Sequence, residues 1–292
     1  MTRVRRFSPR QLVVGLLFIA AFAALFWPTF RWMAERFNAH DSFYSHGWLI
    51  PFASGWLIWH RRERFRCAPV APSYRGLALL IPWIVLHVFA NRWDLHVVSG
   101  FAMVGAVGGL VWTLWGRAVL GALRFPLLFL LFMVPLPGAV LIAISFKMKL
   151  WAAALATHLL SSTGLPALQQ GSTIQVPGVS VIVDDTCSGL RSLISLIALS
   201  TLWAGGMPSG TPRWQRLAIV AVSMPIAVVA NMVRILTLVL LAAIYGPQVA
   251  DGFIHYGSGL VVFGLALLAL AWVHRLLNAW TPVSGHPNLS QS

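Results

Sequence analysis

Acidic residues are scarce in this chain. Seven Asp and Glu stand against 21 Lys and Arg in 292 residues, and only 10% of positions are charged. So little charge excludes a soluble globular protein, in which about a quarter of residues are charged. Two cysteines, Cys67 and Cys187, are too few for a disulfide framework. No phosphate loop, dinucleotide fingerprint or pair of catalytic carboxylates is present. One Cys and one His with distant carboxylates do not make a metal-ligand cluster, so neither a metal nor a cofactor is implied. What fills the chain is apolar: 58% of residues are hydrophobic and the mean hydropathy is +0.78. Such a chain belongs among all-α polytopic membrane proteins, with membrane lipids around it. The formal charge of +14 is therefore read as topology, and no nucleic-acid partner is expected.

Apolar runs able to cross a hydrocarbon core as helix cover residues 12–30, 43–60, 76–90, 95–115, 118–136, 187–205, 217–245 and 253–277. Eight transmembrane helices are thus expected, the first retained rather than cleaved as a signal peptide. Pro82 suggests a kink in the third. With the N-terminus in the cytoplasm, the inner side holds Arg3, Arg5, Arg6, Arg10, Arg61, Arg62, Arg64, Arg66, Arg75, Arg117, Arg124, Arg213, Arg216 and Arg275. The outer side then receives Glu35, Asp41, Asp94, Asp184, Asp185 and Asp251. This arrangement obeys the positive-inside rule. The run 139–161 is apolar enough to span, but counting it would put Arg213 and Arg216 outside. Lys147, Trp151 and His158 share one helical face, so this run is expected to lie on the outer surface as an interfacial helix. Residues 172–176 and 179–183 are β-prone strings around Pro177-Gly178, read as a small outer β-hairpin. Residues 1–280 are expected to form a single membrane domain, followed by a polar tail at 281–292.

Chemistry concentrates at the outer ends of these helices. In VDDTCSGLRSLIS, Cys187 opens the sixth span, where a helix N-terminus favours an anion and raises the thiolate fraction. Asp184 and Asp185 oppose that effect, so a nearby cation is required, and Arg191 stands four residues on. Arg234 sits in the middle of an apolar run with Asn231 one turn before it. A mid-membrane arginine costs about 2.5–3.5 kcal/mol and faces the bundle interior or a wet cavity. Pro225 upstream could bend that helix. His255 opens the last span, followed by Gly257 and Gly259, which permit close helix approach. His46 stands at the outer end of the second span between Tyr44 and Trp48. Each residue taken singly has a plainer reading: a small apolar cysteine, a snorkelling arginine, interfacial histidines, belt aromatics. Together they offer a thiol, a guanidinium and an imidazole at one layer, an acyl-transfer constellation.

The strings TCSGLRSL at 186–193, NMVRI at 231–235, IHYGSG at 254–259 and YSHGWLI at 44–50 resemble the exosortase/archaeosortase family. The resemblance covers most of the chain from Tyr44 to about Phe263. It implies a polytopic cysteine transpeptidase of the bacterial inner membrane, N-terminus cytoplasmic, with its active site on the periplasmic face. Its substrates would be exported proteins carrying a C-terminal signal: a Pro-Glu-Pro-like motif, a membrane helix and a basic tail. Cys187 would hold the substrate as a thioester, with Arg234 and His255 as its partners. Ser188, Gly189, Arg191, Asn231 and His46 are possible supporting residues. Asp185-Thr186 replaces the Glu-Ala pair more usual before the cysteine, which leaves a different signal motif open. An extra soluble domain, fused to some members, is not expected after the last span. Two other readings stand beside this one. The first is a transporter or channel with Arg234 as an anion site. The second is a membrane acyltransferase of exopolysaccharide assembly using a lipid donor.

Overall fold

The protein, seen as a computed structural model, is described at residues 9–39, 42–183, 189–208, 210–246 and 253–280. The side chains of 9–15, 253–256 and 280 lie outside that description. Chain contacts divide it into two compact units, residues 1–39 with 63–135 and residues 40–62 with 136–292.

The first unit opens with α1 (Pro9–Leu25) and α2 (Trp27–Asn38). The single expected first span is a bent pair, turning by 66°. Phe26 leaves helical geometry at φ −92° and ψ 9°, just ahead of Pro28 in the first turn of α2. Proline has no N–H to continue the ladder, so the first helix can end here and the second begin. The Leu25 carbonyl at the break is met by His87 Nε2 at 3.0 Å, from α5 (Leu77–Arg92). That carbonyl can only accept, so Nε2 carries the ring proton and Nδ1 of the neutral ring accepts from Ser99 Oγ at 2.7 Å. Ser99 in turn lies in hydrogen-bond contact with Thr29. Three buried polar side chains thus complete one another and hold the bend.

Ser99 lies on α6 (His96–Trp115), which packs along α5. A Cβ on Gly109 would stand 2.6 Å from Leu80 Cα, so the glycine is what lets these two backbones approach. The next element, α7 (Arg117–Phe129), ends in a 3-10 turn at Leu130–Met133. The expected fifth span is therefore a 13-residue helix and a turn.

The short α4 (Arg62–Arg66) follows α3 (Leu49–His60), which begins the second unit after a 3-10 turn at Ser45–Trp48. The same unit holds α8 (Gly138–Ser162), a small sheet, α9 (Leu190–Gly206), α10 (Arg213–Tyr245) and α11 (Phe253–Trp280). The sheet is a three-stranded antiparallel meander of β1 (Leu168–Gln170), β2 (Thr173–Val176) and β3 (Val179–Ile182). Its β2–β3 half is the expected hairpin, with Val176 opposite Val179 across Pro177-Gly178. Pro followed by Gly178 at φ +83° is the signature of a type II turn. The third strand is an addition: Leu-Gln-Gln has no β-prone residue to announce it, and it forms by pairing Gln169 with Ile174.

Among the described residues, five helical stretches are long and apolar enough to cross a membrane: Tyr74–Arg92, His96–Trp115, Gly138–Ser162, Arg213–Tyr245 and Gly257–Ala279. Counting the bent pair makes six. With 12, 13 and 17 residues, α3, α7 and α9 fall short of the roughly 20 that a straight crossing takes. Among the long ones is α8, the run expected at the interface. Its residues Ala152, Ala153, Ala156 and Leu160 bury against Ile174 and Val176 of the sheet and Met232, Ile235 and Val239 of α10.

Candidate active site

Three helices of the second unit set the geometry. Ser200 of α9 donates to Ser223 of α10 at 3.1 Å, and the Gln215 amide donates to the Leu277 carbonyl of α11 at 3.0 Å. At that same end of α10, Arg216 donates to the Pro208 carbonyl at 2.6 Å, and Arg61 donates to the Gly205 carbonyl. The basic side chains therefore tie down the C-terminus of α9, where the macrodipole is negative. The opposite ends carry the motifs.

There, Gly189 is the N-cap of α9 at φ +78° and ψ −1°, a left-handed conformation. A Cβ on it would stand 2.5 Å from Asn231 Cγ, so no side chain fits between this turn and α10. Asn231 is 6% exposed and Arg234, one turn further, is 8% exposed. The guanidinium carbon of Arg234 lies 3.6 Å from where a Cβ on Gly259 would be. Thus α10 presents Asn231 to the start of α9 and Arg234 to α11. Ser192, Asn231, Arg234 and Gly259 line one cavity of about 10 Å³, the volume of one water. Among the described residues nothing stands within 4 Å of where a Cβ on Gly257 would be, so of the two glycines expected to permit close approach Gly259 is the one seen in contact.

The length of α10 sets how far Arg234 stands from the basic end. Continuous through Pro225, α10 runs for 33 residues, about 50 Å at 1.5 Å per residue. From Arg213 to Arg234 is about 32 Å, close to the ~30 Å of a hydrocarbon core. Arg234 is thus nearly a full membrane thickness from the basic end, level with the sheet that packs on Met232 and Ile235.

On its other side α9 meets the 3-10 turn before α3. His46 Nδ1 lies 3.1 Å from Ser195 Oγ, and its ring stacks on Tyr44 with centroids 5.7 Å apart. Tyr44 is 5% exposed and its hydroxyl accepts the Leu136 N–H at 3.2 Å. Sequence reading missed Ser192 and Ser195; the signal available was two serines three apart in an otherwise apolar helix. Cys187 and Ser188 lie outside the described residues, as do the preceding Asp184, Asp185 and Thr186. His255 belongs to the first turn of α11, with its side chain outside the description. Among the described residues no group of three or more His, Cys, Asp or Glu could hold a metal ion.

Several long apolar helices fit a multi-pass membrane protein, and the second unit buries Asn231 and Arg234 one turn apart on α10. Residues 32–272 match the model of the transmembrane exosortases. The chain belongs to that family. No curated protein and no solved structure matches it.

Proposed function

We propose that this exosortase is a membrane cysteine transpeptidase that processes C-terminal sorting signals of exported proteins through a thioester on Cys187. The observation that carries the reading is the double glycine contact on α10. Gly189, two residues after Cys187, seats on Asn231, and Gly259, four residues after His255, seats on Arg234. These contacts support a reading in which chain connectivity brings the thiol and the imidazole to the same end of these helices. In the reaction the Cys187 thiolate attacks the scissile carbonyl carbon, and the carbonyl π electrons move onto oxygen. Collapse of this oxyanion breaks the C–N bond, and the departing amine takes a proton. An acceptor amine, or water, then attacks the thioester and releases the thiol. The guanidinium of Arg234 stays protonated, so its task is to stabilise the oxyanion or the thiolate, and His255 is the proton carrier. The start of α9 adds a positive dipole end beside the thiol.

The arginine distribution supports a bacterial inner-membrane protein with eight passes, a cytoplasmic N-terminus and the site on the periplasmic face. In that reading α3, α7 and α9 complete the spans with their flanking turns. Lys147, Trp151 and His158 of α8 all face outward from the protein, which supports an interfacial position for that helix. The substrate is an exported protein with a signal that ends in a membrane helix and a basic tail. The direct test is mass spectrometry of the purified protein after exposure to such a substrate. A peptide-sized adduct on Cys187 is expected. Turnover of the substrate without an adduct, undiminished in Cys187→Ala, would refute the reading.

A further inference from the structure

Away from Arg234, at the basic end of the second unit, α3, α9 and α11 leave a groove of about 420 Å³ between them. Sites that hold a small organic molecule run from about 300 to 1,000 Å³. Trp56 and His60 of α3, Leu199, Leu202 and Trp203 of α9, and His274 of α11 line it. Part of the wall is hydrocarbon, where Leu202 and Leu199 lie one and two turns inside the end of α9. The rest is aromatic and polar. Trp56 stacks on His60 with ring centroids 5.0 Å apart, and Trp203 meets His274 edge-on at 5.1 Å. Amphipathic rings of this kind suit the membrane–water boundary, where one end is apolar and the other wet. The groove thus has an apolar length and a polar mouth.

The mouth is also positive. Met207 and Pro208 line it, and their carbonyls receive two guanidinium groups. Terminal nitrogens of Arg61 and Arg216 each lie 3.5 Å from the one Met207 oxygen. A carbonyl gives these cations a dipole and no countercharge. Arg213 and Arg216 also occupy the first turn of α10, where the macrodipole is already positive and no acidic residue stands. Arg275 follows His274 directly. Neither Asp nor Glu occurs in α3, α9, α10 or α11. Glu63, the acid nearest to Arg61 in sequence, pairs with Arg66 at 3.4 Å. Arginines gathered in this way repel one another, and an anion from outside the chain offsets that repulsion.

We propose that this groove binds an anionic phospholipid from the leaflet at the basic end of these helices. One acyl chain runs along Leu199, Leu202 and Trp203, and the phosphate sits by Arg61 and Arg216. Basic pockets between membrane helices select such headgroups. A zwitterionic lipid brings the same phosphate and tails with a cation attached, which restores the repulsion that an anionic one relieves. Free phosphate answers the arginines and leaves the apolar length unfilled. The lipid joins α3 to α9 and α11, and its binding is independent of the transpeptidase chemistry.

The test gives the full chain, purified in detergent and stripped of lipid, equal amounts of dioleoyl phosphatidylglycerol and dioleoyl phosphatidylcholine. Their tails are identical. Native mass spectrometry of the monodisperse fraction counts each lipid retained, so misfolded material does not enter. Phosphatidylglycerol is expected in about tenfold excess or more, as two basic contacts at a membrane surface require. Arg61→Gln combined with Arg216→Gln should bring that excess below about twofold. Gly206→Leu tests the apolar length. A Cβ there would stand 3.5 Å from the Trp56 ring, an ordinary contact, so the added side chain enters the groove and leaves the arginines in place. It should cut phosphatidylglycerol retention about fivefold or more. Equal retention of the two lipids, or of neither, overturns the proposal, as does retention that either variant leaves unchanged. Displacement of the lipid by inorganic phosphate at the same concentration would make this a site for a free anion, and overturns it too.

Discussion

Cys187, Arg234 and Gly189 show how single residues at this site can be told apart by substitution. Cys187→Ala and Cys187→Ser should both abolish substrate processing while the protein still accumulates in the membrane. A hydroxyl without a strong adjacent base is a far poorer nucleophile than a thiolate. Immunoblots of a substrate in cells expressing each variant check this, with the exposed Cys67 replaced as a dispensable control. Arg234→Lys should fail nearly as badly as Arg234→Ala, since lysine keeps a charge but loses the planar fork. Loss of one oxyanion donor costs about 10²–10³ in rate, read as near-complete loss of processing at matched abundance. Full activity in the lysine variant would remove the guanidinium role. Gly189→Ala forces a side chain into a left-handed turn, at a cost of about 1–2 kcal/mol, and into Asn231. It should therefore abolish processing, whereas Gly257→Ala, which meets nothing, should be tolerated. Loss in both glycine variants alike would mean that the Gly189–Asn231 contact has no special part.

At the scale of elements, the bend between α1 and α2 makes the most specific claim. His87→Leu leaves the Leu25 carbonyl and the Ser99 hydroxyl without their shared partner in a buried setting. The expected loss is about 1–3 kcal/mol, seen as an earlier thermal unfolding midpoint of the purified protein in detergent. An unchanged midpoint would show that the bend holds without the histidine. Nothing in the sequence announced this network, because Thr29, Ser99 and His87 are far apart in the chain and each alone looks like a stray polar residue in an apolar run. The β2–β3 hairpin, by contrast, was legible: Pro177-Gly178 dictates a turn whatever surrounds it. The β1 strand was not, since its residues take their conformation from pairing with β2 rather than from their own preference.

For the whole molecule, orientation is the quantity to measure. In a Cys67→Ala, Cys187→Ala background, Ser172→Cys and Asp251→Cys should react with a membrane-impermeant maleimide applied outside whole cells. Ser209→Cys should react only after lysis. Labelling of Ser209→Cys in intact cells would mean that α8, with its 25 residues, crosses the membrane and the orientation is reversed. The choice was hard to make from sequence because α8 is apolar enough for either position. Hydropathy measures transfer into hydrocarbon, and a helix covered on one side by a sheet and by α10 satisfies the same criterion as one that spans.

The sequence by itself determined the medium and the family. A chain 58% hydrophobic with seven acids can fold only with lipid around it, and the strings around Cys187, Arg234 and His255 fixed the family. Those features are local, decided by composition and by covalent neighbours. Adjacency was decided only by the tertiary structure. Arg234 stands about 32 Å along α10 from its start, and α10 runs on to Tyr245 with Met232 and Ile235 packed against the sheet. Gly189 and Asn231 lie 42 positions apart in the chain, and Ser195 is 149 from His46. No helical period encodes such contacts, because they arise where antiparallel and neighbouring helices pack, and packing is settled by the shapes of both partners at once.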